Sequence, residues 1–256
     1  MSQRDGDRKD LVFIGDVHLD RDDPELESFL GFLDGIETTT RCLIFMGDLF
    51  NLWIGKRDLE QSHQKVVIAR LERMRKRGLV IRYLEGNRDF QVRRAYMGTA
   101  LDDVAEWGIV ERLGSGSLFA IHGDLANPRD RLYRVWRRMA RSRIAWGLFH
   151  AVPGSRRFHL AEAMEARLRR ANREFKEGFP EEEVRAYAGR FLRQGHDAVI
   201  LGHFHVEKDL EARPPSPPGR VLVLPEWKGS RRYLRVTAAG EIRFENVAGK
   251  MRGGAT

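Results

Sequence analysis

Short apolar runs in this chain end repeatedly in a glycine or histidine turn that carries a metal-capable side chain. Leu11-Val12-Phe13-Ile14 runs into Gly15-Asp16-Val17-His18, and Cys42 to Met46 into Gly47-Asp48. Leu79 to Leu84 leads to Gly86-Asn87-Arg88-Asp89, another apolar run to His122-Gly123-Asp124, and Ala198 to Leu201 to Gly202-His203-Phe204-His205. Continuous apolar runs of this length fit strands buried on both faces. Pro24 to Gly35 and Leu59 to Lys76 carry apolar residues at helical spacing, and Gly78 stops the second. The order strand–helix–strand–helix–strand predicts a layered α/β fold. Its polar clusters would then sit at strand ends, where ligands of open α/β sheets bind.

The middle of the chain differs. From about Pro128 to Gln194 the pattern is helical and rich in arginine. We expect a single domain, 1–256, with a helical cap inserted at about 126–190. The Pro-rich stretch from Arg213 to Gly219 reads as a loop. Val221 to Leu224, Tyr233 to Val236 and Ile242 to Phe244 read as strands of a meander.

Size and charge narrow the function. The chain has 256 residues, 42% of them hydrophobic, enough for a substantial core. Its net charge of +8 predicts anionic company: nucleic acid, anionic lipid or a phosphorylated substrate. Cys42, the single cysteine, lies in an apolar run and reads as a small buried hydrophobe. The first ten residues lack the apolar stretch of a signal peptide, and no segment approaches the roughly 18 apolar residues of a membrane span. The expected location is the cytoplasm, with at most a peripheral hold on the inner membrane.

The clusters supply two Asp, one Asn and four His as candidate ligands: Asp16, Asp48, Asn87, His18, His122, His203 and His205. Neutral imidazole and carboxylate suit divalent metals, and the absence of sulfur argues against a structural zinc knot. Two ligands two residues apart, as in Asp-x-His and His-x-His, share a face in a strand and reach one ion from a turn. So many donors exceed one small ion. They suit a pair of ions about 3.5–4 Å apart, which can clamp the oxygens of an in-line displacement at phosphorus. His63, His150, His159 and His196 lack such company and read as structural or surface residues.

This order of motifs resembles the calcineurin-like metallophosphoesterase superfamily. The resemblance implies an α/β fold of four layers, a β-sandwich flanked by helices, with a dimetal site at one end. By the same resemblance Asp16, His18 and His205 would hold one metal, Asn87, His122 and His203 the other, and Asp48 would bridge them.

Gly86-Asn87-Arg88-Asp89-Phe90, with Gly47-Asp48-Leu49-Phe50 and His122-Gly123-Asp124, further resembles the UDP-2,3-diacylglucosamine pyrophosphohydrolases of lipid A synthesis. That implies two divalent ions, manganese first among them, and attack of water on the α-phosphorus of a UDP-linked lipid. UMP and diacylglucosamine 1-phosphate would be released. Asp130 and Tyr133 match positions that face substrate in that family. The chain departs from it with Phe204 in place of Thr, Val206-Glu207 in place of Arg-Pro, and a loosely matching Arg170 to Lys176.

In this reading Asn87, Arg88 and His122 stabilise the reacting phosphoryl group, and Asp124 orients His122. The cap's arginines interleave with apolar residues at helical spacing, which points to an anionic inner-membrane surface rather than nucleic acid. The competing readings are a nucleotide phosphodiesterase, a manganese nuclease and a metal-free scaffold.

Overall fold

The computed structural model describes residues 10–247 except 115, 129–130, 155, 158, 162 and 165–177. The strands are β1 (Asp10–Ile14), β2 (Thr40–Phe45), β3 (Trp53–Ile54), β4 (Val80–Leu84), β5 (Asp89–Phe90), β6 (Asp103–Ala105) and β7 (Ile109–Leu113). They continue as β8 (Gly116–Ile121), β9 (Ala198–Leu201), β10 (Lys208–Glu211), β11 (Arg220–Val223), β12 (Arg232–Val236) and β13 (Ile242–Asn246). The helices are α1 (Leu26–Ile36), α2 (Ser62–Lys76), α3 (Val92–Tyr96), α4 (Arg131–Ala140), α5 (Arg143–Ala151) and α6 (Glu181–Leu192).

One sheet has the order β13-β12-β1-β2-β4-β6 and the other β10-β11-β9-β8-β7. The period-2 alternation of each strand sorts its side chains between layers. Val12, Ile14, Leu43, Phe45, Ile81 and Tyr83 pack against Phe29 and Leu33 of α1 and Val67 and Leu71 of α2. Their alternates Leu11, Phe13, Cys42 and Ile44 face Leu118, Ala120, Ala198, Ile200 and Leu222 of the second sheet. Val199, Leu201, Val221 and Val223 point outward to Val184, Ala188 and Leu192 of α6. The result is helix, sheet, sheet, helix: the four layers expected from the sequence.

β1, β2 and β4 run parallel, as do β8 and β9, and their C-terminal ends meet at one edge of the sandwich. All five polar clusters follow these strands. The expected meander does not form. β11 pairs with β9 in the second sheet, while β12 and β13 make a hairpin on β1 in the first. Between them the chain crosses from sheet to sheet at Trp227, which is fully buried edge-on against Phe29.

The segment 126–190 is divided. α4 and α5 stand over the strand ends, where Phe149 and Trp146 pack on Leu52, Ile54 and Phe90 around the β3–β5 ribbon. The later part, α6, belongs to the outer layer of the body through its apolar contacts with β9 and β11. Among the described residues no helix is long and apolar enough to cross a membrane.

Cys42 lies between the sheets at 2% exposure, and burial pushes its thiol up to about 12. We expect no reaction with a thiol-specific disulfide reagent at pH 8 while the chain is folded, and full reaction in denaturant. Rapid labelling of folded protein would contradict this placement.

Candidate metal centre

The donors are set by an unusual backbone. Of the eight non-glycine residues with positive φ among those described, five are candidate ligands: Asp16 (51°), His18 (51°), Asp48 (54°), His203 (74°) and His205 (57°). Left-handed backbone is uncommon outside glycine, though Asp and His are among the residues that tolerate it best. Here it turns each side chain back over the end of the strand it follows. The loops then tie to one another. His18 N donates to the Asp48 carbonyl at 2.9 Å, Gly202 N to the His122 carbonyl at 2.9 Å, and His203 N to Asp16 Oδ2 at 2.7 Å. Gly86 is required by crowding, since a Cβ there would lie 2.2 Å from Asp48 Oδ1.

All seven sequence-selected donors come together. Asp16, His18 and His205 offer atoms within 4.8 Å of one another, as do Asp16, Asp48 and His122. His18 Nε2 stands 3.1 Å from His205 Nε2. Asn87 Oδ1 lies 3.0 Å from His122 Nε2 and 3.2 Å from His203 Nδ1. Asp48 reaches toward both groups, with Oδ2 3.9 Å from His122 Nε2. Of the histidines set aside, His63 is buried against Phe50 and His196 meets Ser117 Oγ at 2.9 Å, both apart from the cluster.

These residues fit divalent cations. Asp16 is fully buried, yet its Oδ1 accepts no well-formed hydrogen bond and faces two imidazole nitrogens. Two nitrogens about 3 Å apart match adjacent ligands on bonds of about 2.1 Å. His122 Nδ1 is 2.7 Å from the Met46 carbonyl, which can only accept, so Nδ1 must donate. The neutral ring then presents the lone pair of Nε2 to the cluster.

The electrostatics agree. Burial alone would raise Asp16, but the adjoining His205 imidazole and its charge hold it well below the usual carboxylate range. Burial opposes protonation of His205 too, yet Asp16 and Glu226 push it up to about 10. Burial lowers His203 to about 4 with help from His122, and drives His18 well below the usual imidazole range. Asp16 and Glu226 thus favour positive charge at His205, the place where an ion would bring it.

Arg88 is 1% exposed. Its Nε faces Asp48 Oδ2 at 3.6 Å and its Nη1 donates to the Asn51 carbonyl at 3.2 Å. What it brings to the site is thus a fixed charge beside Asp48. The orienting contact to the His122 ring that the sequence assigned to Asp124 is made by the Met46 carbonyl, which takes the Nδ1 proton. Asp124 instead accepts from Tyr133 Oη at 2.6 Å and pairs with Arg137 at 2.5 Å. Asp130 and the segment 170–176 lie outside the described residues.

Sequence reasoning missed Asp89. Its Oδ2 accepts from Asp48 N (2.8 Å), Gly86 N (2.7 Å) and Tyr83 Oη (2.9 Å), joining two ligand loops. It also missed Glu226, whose Oε2 lies 3.4 Å from His205 Nδ1. No spacing marks Glu226, and Asp89 reads locally as an ion-pair partner for Arg88.

Residues 10–207 match a family model described as calcineurin-like phosphoesterase. A protein of Hamiltonella defensa named UDP-2,3-diacylglucosamine hydrolase is 31% identical, over 76% of this chain and 76% of its own length. One of Azotobacter vinelandii with the same name is 30% identical, over 90% of this chain and 95% of its own. Among solved structures, an archaeal phosphodiesterase superposes with a TM-score of 0.47 at 14% identity, covering 93% of this chain and 99% of its own.

Proposed function

Because the chain belongs to the calcineurin-like phosphoesterase family and is a metal-dependent hydrolase, we propose that it cleaves the diphosphate of UDP-2,3-diacylglucosamine. The products are UMP and 2,3-diacylglucosamine 1-phosphate. The observation that carries this reading is the complete donor cluster lying under a helical roof that is apolar and cationic. The names of the relatives at 30–31% identity support the same substrate.

In this proposal Asp16, His18 and His205 hold one divalent ion, Asn87, His122 and His203 hold a second, and Asp48 lies between them. Manganese is the ion proposed for both positions; mixed imidazole and oxygen donors suit divalent ions without selecting manganese among them. When bound, such a pair supplies a nucleophile near neutral pH and draws off charge from the phosphoryl oxygens. The chain's own groups do the rest. His122, fixed by Met46, and the Asn87 amide border the space for the phosphoryl group. Arg88 adds a buried positive charge that offsets the carboxylates as the phosphoryl oxygens gain charge. Asp130 and Tyr133 complete the proposed substrate contacts. The leaving sugar 1-phosphate needs no general acid.

Incubation of the manganese-loaded chain with UDP-2,3-diacylglucosamine is expected to release UMP, detectable by mass spectrometry. Cleavage of cyclic nucleotides or single-stranded nucleic acid without UMP release would overturn the substrate assignment.

The roof also suggests how a lipid is met. Val135 and Met139 on α4, and Ile144 and Leu148 on α5, are 58–77% exposed, beside exposed Arg134, Arg138 and Arg143. Apolar side chains flanked by arginine suit an anionic bilayer surface. The chain should float with phosphatidylglycerol vesicles but not with neutral ones. Ile144→Asp with Leu148→Asp should weaken this binding at least tenfold and spare turnover of a soluble ester. Equal flotation of wild type and double variant would remove this face from the proposal.

A further inference from the structure

Tyr133, Arg137 and Arg141 follow one another at four-residue intervals on α4 and the turn that ends it, where Arg141 N still bonds the Arg137 carbonyl at 3.1 Å. They therefore line one helical face. Each grips a loop that carries a candidate ligand. Tyr133 Oη donates to Asp124 Oδ2 at 2.6 Å, and Arg137 Nε lies 2.5 Å from the same oxygen. Asp124 stands two residues after His122. Arg141 Nη2 donates to the Gly86 carbonyl at 2.6 Å and Nη1 to Glu85 Oε2 at 3.2 Å, immediately before Asn87. These side chains are half-buried or buried, so the two sets of hydrogen bonds and the Arg137–Asp124 ion pair form where water competes poorly.

The grip is one-sided. Among the described residues no hydrogen bond or ion pair joins this face to Asp16, His18 or His205. Those donors are held by the body, through Gly47, Trp227 and Glu226. Its hydrogen bonds and ion pairs given above run to the loops of Asn87 and His122, and Arg137 also lies over the Trp107 ring at 5.2 Å.

We propose that Tyr133, Arg137 and Arg141 are positioning residues for one of the two ions: α4 must be seated for Asn87, His122 and His203 to bind metal tightly. This rests on the dimetal reading above. A ligand loop whose backbone is fixed needs no ordering when the ion arrives, and loss of such outer partners typically weakens metal affinity about 10–100-fold. The coupling is reciprocal, so an ion at this position also holds the helix down.

The test is calorimetric titration of the metal-stripped full chain with manganese. The wild type is expected to show two binding events. His18→Ala should lose one of them and thereby identify the other as the event at Asn87, His122 and His203. Arg141→Met and Arg137→Gln should each weaken that retained event about 10–100-fold and leave the first within about twofold, with Arg137→Lys recovering part of the loss. Metal-free Arg141→Met should melt close to wild type, while Arg137→Gln, which leaves buried Asp124 without its cation, should melt lower and Arg137→Lys should recover part of that loss.

An unchanged second event in both variants would overturn the proposal. So would equal weakening of both events with a lowered melting temperature, since that is general loosening. A wild type that binds fewer than two ions would instead sink the dimetal reading itself.

Discussion

Asp48→Ala is expected to lower turnover by about 10³-fold or more, on a soluble chromogenic ester and on the UDP-linked lipid alike. Charge stabilisation by a metal pair contributes several kcal/mol at the transition state, and each 1.4 kcal/mol is about a factor of ten. In the proposed centre Asp48 is the carboxylate that would lie between the two ions. It is 2% exposed, its Oδ1 accepts from Arg88 N at 2.9 Å, and its Oδ2 faces Arg88 and His122. Its removal also leaves the Arg88 guanidinium buried with less compensation, which adds a stability cost. Asp48→Asn keeps the shape but loses the charge, and should lose most of the activity with a smaller effect on melting. The measurement is kcat at saturating manganese. An alanine variant retaining more than about a tenth of wild-type turnover would refute the bridging role.

The second large effect falls on the fold. Asp89→Ala should lower stability by about 3–6 kcal/mol, because it strips the shared acceptor from three buried donors at about 1–3 kcal/mol each, partly relieved by water. For a chain of this size that is on the order of 10 °C in thermal midpoint. Asp89→Asn should cost much less, since a single amide oxygen can still accept. Burial and the charge of Asp48 push Asp89 up to about 7, the direction in which a neutral group costs less there. Melting of metal-free protein measures both variants. An alanine variant within about 2 °C of wild type would show that the three donors find other partners.

The strand-end clusters were legible because two physical patterns coincide in them. A fully buried parallel strand must be continuously apolar, and a metal ligand must leave it at a turn. Asp16, Asp48, Asn87, His122 and His203 each follow such a strand, so their convergence could be read before any coordinates. The sheet assignment of β11 was not legible, because a strand-length apolar run does not say which of two sheets it joins. β6, β7 and β10 are short or half-exposed, with weak periodicity. The fate of Arg88 was also hidden. Sequence shows a cation beside Asn87 but not that it turns inward to Asp48. The α4 face was present in the sequence as Tyr133, Arg137 and Arg141 at helical spacing. Its targets, an acid and a carbonyl on distant loops, needed the fold. The division of 126–190 could not be foreseen because α6 continues the helical pattern while its apolar face belongs to a different layer.

The left-handed backbone at Asp16, His18, Asp48, His203 and His205 sets chemistry against durability. Each of these positions would be more comfortable as glycine, which occupies that conformation at no steric cost. Glycine would relieve the backbone at each of the five, yet at Asp48 it would strand the Arg88 charge and at Asp16 the His203 amide, so the residues that strain these loops also hold them together.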